Sequence, residues 1–230
     1  MPRRERPTDT RRSEHRLRVA ANEAAAFTSE RIKSAFGWAA VETIEWRSPV
    51  ESDQHAEYYD EAFLERLGIE QLAVPLHSFW PPRGPRWDGL ARTSSGKFLL
   101  FEAKAYIEEG VDFRSKAGSA SLEKIAEALE QSKRAYGANS DANWASPFYQ
   151  YANRLAHLHF LVSCNEIDAY LVFLYFADAP DVPFPCSAEQ WEGVRRLTEK
   201  CLGLGRHVYS DRIATIVIDV PEMLTRAGAP

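Results

Sequence analysis

The sequence predicts a mixed α/β fold, a mixed central β-sheet flanked by helices. Apolar strand-like runs cluster between residues 72 and 105 and again after 158, and stretches with helical spacing of apolar residues lie between and around them. At 230 residues and 45% hydrophobic, the chain also has enough apolar surface for one substantial core. Residues 1–16 read as a basic, flexible arm, and residues 17–226 as a single domain with its core at about 53–176.

The first expected element is a long helix from Ser13 to Phe36, where Ala and Leu recur between charged residues and Gly37 follows. Val41 to Trp46 alternates apolar and polar residues as a strand with one wet face does, and Ser48-Pro49 closes it. Tyr59, Phe63, Leu64 and Leu67 keep helical spacing, so Asp53 to Leu67 reads as a second helix stopped by Gly68. Leu72 to Phe79 reads as a strand, and Pro81-Pro82-Arg83-Gly84-Pro85 as a loop, since proline gives a ladder no donor. Arg86 to Arg92 and the apolar run Phe98-Leu99-Leu100-Phe101 flank Thr93-Ser94-Ser95-Gly96, whose turn chemistry predicts a hairpin.

A glycine-containing loop from Gly110 to Gly118 leads into an amphipathic helix over Ser121 to Tyr136. Leu122, Ile125, Ala126, Leu129 and Tyr136 are expected inward, with Glu130 paired to Arg134 outside. After the polar loop Gly137 to Pro147, Phe148 to Leu158 reads as a helix giving way to a strand through Val162. Asn165 to Asp168 turns the chain into Tyr170 to Phe176, whose continuous apolar character fits a central strand. Pro180, Pro183 and Pro185 mark a rigid connector. Ser187-Ala188-Glu189-Gln190 is a capping-box pattern opening a last long helix, with Trp191, Val194, Leu197 and Cys201 inward. Arg212 to Val220 is the final strand.

No run reaches the roughly eighteen apolar residues of a membrane helix and no signal peptide opens the chain, so a soluble, cytoplasmic protein is expected. Cys164, Cys186 and Cys201 are odd in number, widely spaced and without a Cys-x-x-Cys pattern. They read as reduced structural thiols rather than a disulfide framework or a cysteine zinc site. The net charge of −5 gives no global basic character of the nucleic-acid-binding kind. The first eighteen residues nevertheless hold Arg3, Arg4, Arg6, Arg11, Arg12, Arg16 and Arg18 against Glu5, Asp9 and Glu14, a net of +4 that leaves −9 for the rest. Such an arm can lie along phosphates; the plainer expectation is a solvated, frayed terminus.

The chemistry concentrates on Asp88 and Glu102-Ala103-Lys104. Side chains two apart on a strand share a face, so Glu102 and Lys104 project together with Ala103 facing away, and the hairpin places Asp88 near Glu102. Two carboxylates beside one ammonium, walled by apolar strands, suit a hard divalent cation and a water aimed at a phosphate. The bland alternative is a solvated ion pair at a strand end, with Asp88 a turn former before Gly89. Farther on, Gln150, Arg154 and His157 make a polar stripe at helical spacing, and Arg154 is offered either as a phosphate clamp or as part of a solvated face. His157 and His159 form an H-x-H without an evident third ligand, which favours structural histidines over a metal pair. Trp80, Trp87 and Trp144 lie near loops where they would stack on unpaired bases, core packing being the expected use of Trp87. Tyr106, Glu108 and Glu109 are assigned to a loop or rim. There is no nucleophile elbow, phosphate-cradling glycine loop or H-E-x-x-H.

These residues resemble the restriction-endonuclease-like nucleases that carry the PD-(D/E)XK signature. Trp87-Asp88-Gly89 stands where that signature has its first acid, with Trp in place of Pro, and Glu102-Ala103-Lys104 stands as its E-x-K half. The resemblance covers roughly residues 53–176 and is closest to the compact Holliday-junction-resolvase-like and archaeal-type members. It implies a restriction-endonuclease-like core and a metal-dependent nuclease hydrolysing phosphodiester bonds, in DNA more than in RNA. It implies Mg²⁺, or Mn²⁺, held by Asp88, Glu102 and the backbone carbonyl of Ala103. Lys104 would orient or deprotonate the attacking water and stabilise charge on the phosphorane. In similar members a helical glutamate precedes the first core strand; Glu57 is placed there, with Glu61, Glu23 and Glu30 as competitors. Some relatives carry a glutamine with a partner four residues on, which Gln150 with Arg154 resembles, so Gln150 joins the expected catalytic set. A catalytically inactive nuclease-fold module that binds nucleic acid or protein is the competing class, supported by the acidic balance and the absence of identifiable groove-reading side chains. DNA or RNA is thus the expected partner, no membrane is, and a homodimer is left open.

Overall fold

A computed structural model of the protein describes residues 3–4, 12–111 and 117–228. Arg6 and Arg11 of the basic arm, and residues 112–116 of the loop expected between Gly110 and Gly118, lie outside the described residues.

After a two-residue strand β1 (Arg3–Arg4), the single long helix expected to Phe36 is two, α1 (Ser13–Ala21) and α2 (Ala25–Phe36). Asn22 separates them. Its Nδ2 donates to Arg18 O at 2.8 Å and to Pro49 O at 3.1 Å, and its Oδ1 accepts from Glu51 N at 3.3 Å. An amide side chain that bonds nearby backbone in this way competes with the helix ladder. Residues 13–16, assigned to the arm by sequence, form the first turn of α1, and Arg16 is buried in an ion pair with Asp181.

β2 (Ile44–Ser48) starts three residues after the exposed Val41 and packs through Trp46, stacked 4.5 Å from Phe101. The helix expected over Asp53 to Leu67 does not form. In its place come a 3-10 turn at Glu51–Asp53, a strand β3 (Glu57–Tyr59) and a short helix α3 (Ala62–Leu67). Gln54, His55 and Asp60 have φ of 52°, 53° and 58°, left-handed values that cannot continue a right-handed helix. Glu57 therefore sits on a strand, beside two tyrosines that favour one. The strand expected over Leu72 to Phe79 is also absent: α4 (Leu76–Phe79) is a helical turn led by Pro75, which has no N–H to give a ladder.

The hairpin forms from β4 (Arg86–Trp87), β5 (Gly89–Thr93) and β6 (Phe98–Lys104). Helix α5 (Ser119–Ala135) buries Ile125, Ala128, Leu129 and Ser132, while Leu122 and Ala126 face outward. Glu130 pairs with Lys133 at 2.6 Å, not with Arg134, whose Nε donates to Glu130 O. Helix α6 (Tyr149–His159) is not followed by a strand through Val162; it runs on into a π turn at Phe160–Cys164 with Phe160 and Leu161 fully buried. β7 (Ala169–Ala177) is the continuous apolar strand expected there. On α7 (Ala188–Cys201) the capping box is made, with Ser187 N donating to Gln190 Oε1 at 2.8 Å. Its inward stripe is Trp191, Val194 and Thr198, with Leu197 and Cys201 exposed, because steps of three drift off a 3.6-residue period. β8 (Ile213–Asp219) and α8 (Val220–Arg226) end the fold.

The result is a mixed five-stranded sheet in the order β2-β5-β6-β7-β8, flanked by helices. The first three strands pair antiparallel and the last three parallel. β1, β3 and β4 form a separate three-stranded sheet. Leu17, Ile32 and Met223 from α1, α2 and α8 cover one face of the large sheet against Phe101, Ala103, Val172 and Leu174. Ile125, Leu155 and Trp191 from α5, α6 and α7 cover the other against Leu100, Phe173 and Tyr175. Each Val, Leu, Ile, Phe or Met side chain among these contributes about 1.5–3 kcal/mol by leaving water. Among the described residues no helix is long and apolar enough to cross a membrane.

Candidate active site

Asp88 is the one residue between β4 and β5, where the chain leaves the small sheet for the large one. The register opposes Gly89 to Phe101, which brings Asp88 beside the Glu102 end of β6. Gly89 permits that approach: a Cβ on it would lie 3.2 Å from both Phe101 Cβ and Trp46 Cζ3. Asp88 Oδ2 then accepts from Ala103 N at 2.9 Å, while the Ala103 side chain belongs to the opposite core.

Helix α6 completes the group. Lys104 Nζ lies 2.5 Å from Glu102 Oε1 and donates to Gln150 Oε1 at 2.8 Å. One turn along, Arg154 Nε donates to Glu102 Oε2 at 2.6 Å, its Nη2 donates to Arg86 O at 2.6 Å, and its guanidinium lies 4.6 Å over the Trp87 ring. The structure thus gathers Asp88, Glu102, Lys104, Gln150 and Arg154 in one place. Arg154 is buried as the counter-ion of Glu102, not held out as an exposed clamp.

Burial and the neighbouring charges split the two acids. Burial, and then the negative charge of Glu102, push Asp88 above the ordinary carboxylate range against the opposing pull of Lys104 and Arg154. Burial alone would raise Glu102 too, but Arg154 and then Lys104 outweigh it and hold Glu102 below that range. For Lys104 the cost of burial is exceeded by Glu102 and Asp88, which keep the ammonium protonated. Lys104 is therefore a cationic hydrogen-bond donor and not a base in this state.

The donor set fits a hard cation that keeps most of its waters. Asp88 Oδ1 has no hydrogen-bond donor among the described residues, and Glu102 adds a second carboxylate whose oxygens are each engaged by a cationic side chain. Among the described residues no three His, Cys, Asp or Glu side chains gather as a metal cluster. Two carboxylates with a backbone carbonyl are enough for Mg²⁺ or Mn²⁺, and would not serve zinc.

Asp88, Lys104, Gln150 and Arg154 line a cleft of about 920 Å³, with Arg83 of the proline loop and Arg86 of β4 on its wall. Glu57, buried on β3 with Oε2 3.8 Å from Arg86 Nε, shares a small recess with Asp88. Glu61, Glu23 and Glu30 are exposed and line neither space. Besides Asp88, the acid that lines both among the described residues is Glu14 on α1, which carries no site role in the sequence because residue 14 falls in the basic arm. Glu109, expected at a loop or rim without a role, is also an acid of this cleft. Its Oε2 accepts from Ala105 N at 2.8 Å, and burial raises its carboxyl. Trp80, Trp87 and Trp144 are almost wholly buried and offer no open face for stacking. His157 and His159 lie on a helix, bonded separately to Asn153 O and the Tyr209 hydroxyl, and form no metal pair.

No protein-family model, curated protein or solved structure matches the chain. What the site can do follows from its own chemistry.

Proposed function

We propose that this protein is a Mg²⁺- or Mn²⁺-dependent nuclease that hydrolyses phosphodiester bonds, in DNA by preference, at Asp88, Glu102 and Lys104. The observation that supports this best is a half-buried acid and a protonated lysine opening together into a large polar cleft with two arginines on its wall. The hairpin with the acids at one end, followed by α5, α6 and the parallel β7, supports this reading; the helix over Asp53 to Leu67 and the strand over Leu72 to Phe79, also within the resemblance, do not form and give it no support. Asp88, Glu102 and the Ala103 carbonyl would hold the ion, which when bound supplies an acidified water and neutralises phosphate charge. Lys104 donates to an oxygen of the phosphate as negative charge builds on it. Gln150 fixes the lysine through the 2.8 Å bond to Nζ, so that the donor does not reorganise during the reaction. Arg154 keeps Glu102 ionised.

A non-catalytic module is favoured by one observation, that Glu102 already carries a cation on each oxygen. Cleavage of plasmid and of single-stranded DNA with Mg²⁺ or Mn²⁺ separates the two. The native protein should cut, and Lys104→Ala and Glu102→Ala should each lose about a hundredfold or more of the rate. Cleavage that persists unchanged in both variants, or is absent from the native protein, defeats the assignment.

A further inference from the structure

Beside the acids, the same cleft contains polar groups that the proposed chemistry does not use. Asn153 lies on α6 between Gln150 and Arg154, lines the cleft, and is 7% exposed. Its Nδ2 is 3.4 Å from the Tyr149 hydroxyl, but its buried Oδ1 has no hydrogen-bond partner. Leaving such an oxygen unmet is unfavourable in the free protein. Trp80, 2% exposed, also lines the cleft; its ring lies 4.6 Å from that of His157, one helical turn on from Asn153, and no hydrogen-bond acceptor meets its indole N–H among the described residues. Gly84 keeps that edge clear, since a Cβ there would stand 3.1 Å from Nε1. The start of the seventeen-residue helix α5 opens into the same space at Gly118 and Ser121, and among the described residues no side chain caps its first N–H groups.

We infer that this part of the cleft is a subsite for one unpaired nucleotide, with Asn153 and Trp80 reading the base edge and the α5 start taking a neighbouring phosphate. An acceptor and a donor, each without a partner and both lining one cleft, offer what a Watson–Crick edge requires, since every base sets a donor next to an acceptor there. A phosphate is acceptor only and leaves Asn153 Oδ1 unmet; it suits the uncapped helix start instead. Within a duplex the Watson–Crick edge is occupied, so the strand entering this subsite is single-stranded. The substrate is then a nucleic acid with an unpaired end or segment.

The subsite rests on the nuclease reading for its ligand, yet the two fail separately. The test is fluorescence anisotropy, in EDTA and again with Ca²⁺, using three labelled probes: a short single-stranded DNA of mixed sequence, that strand annealed to its complement, and a chain of the same length made of abasic nucleotides. The base-bearing single strand should bind about tenfold tighter than either other probe. Asn153→Ala and Trp80→Phe should each lose about five- to tenfold for that strand and nothing for the abasic chain. Gly84→Ala, which covers the indole edge without removing a core side chain, should show the same pattern. Equal affinity for base-bearing and abasic strands, tighter binding of the duplex, no binding of the single strand under either condition, or variants that bind it like the native protein overturns the subsite. A protein that holds the base-bearing strand through Asn153 but cuts nothing loses the catalytic assignment and keeps this one.

Discussion

Arg154→Met is expected to destabilise the fold by about 3–5 kcal/mol, as removal of one partner of a buried ion pair does. The side chains of Arg154 and Glu102 are 5% and 3% exposed, so neither charge has water to fall back on. The variant leaves Glu102 with Lys104 alone and removes the donor to Arg86 O. Glu102→Gln in the Arg154→Met background should then cost less than in the native protein, because the stranded charge is gone; the coupling should exceed about 1 kcal/mol. Urea unfolding of the four proteins of this cycle measures both quantities. A loss below about 1 kcal/mol, the value typical of exposed pairs, would mean that Arg154 does not hold Glu102.

Acid should unfold the protein early, with His157 as the largest single contributor. Its Nδ1 meets Asn153 O at 2.9 Å, and Trp80 and Trp87 pack around the rest of the ring at 4.6 and 6.1 Å. Burial drives the imidazole pKa down from 6.5 to about 3. A histidine whose folded pKa is depressed is protonated in the unfolded chain first, so stability is lost as pH falls below 6.5 and continues to fall toward 3. The loss should be about 2 kcal/mol between about pH 7 and pH 5, and about 4–5 kcal/mol over the whole window. His55, His159 and His207 are lowered by burial and run the same way. Asp88 and Glu109 run oppositely, since a carboxyl raised by folding is relieved as pH falls. His157→Asn, whose amide can still donate to Asn153 O, should flatten the pH dependence of the unfolding free energy whatever its baseline. An unchanged slope would mean that the ring is solvated.

The acid–lysine group was legible because every step to it is local. Alternation fixes which β6 side chains share a face, and the turn at Thr93 to Gly96 fixes the register that returns Asp88 to Glu102. The α6 stripe carrying Gln150 was legible from its 3.6-residue period. What escaped depends on contacts distant in sequence or on unusual backbone. The spacing of Tyr59, Phe63, Leu64 and Leu67 suits a helix, and only the left-handed Gln54, His55 and Asp60, none of them glycine, break it and put Glu57 on a strand. The break at Asn22 needs Pro49 O and Glu51 N, which no local window contains. Arg154 meets Glu102 across 52 residues, so its burial as a counter-ion had no sequence signal. Glu14 escaped for a simpler reason: the arginines around it read as a solvated arm, although Leu17, Val19 and Ala20 that follow are buried.

Titration of the native protein with Mn²⁺ by isothermal calorimetry, set beside Asp88→Asn, tests the central claim most directly. Asp88→Asn keeps the shape of the side chain and the oxygen that accepts from Ala103 N, but removes the charge that would hold the ion. The native protein should bind one ion at this site with affinity that falls as pH drops and Asp88 takes up its proton; Asp88→Asn, equally folded by circular dichroism, should lose that binding. Identical titrations for the two proteins, or no bound ion in the native one at neutral pH, would contradict a catalytic metal centre and leave the buried charges as a structural ion-pair network.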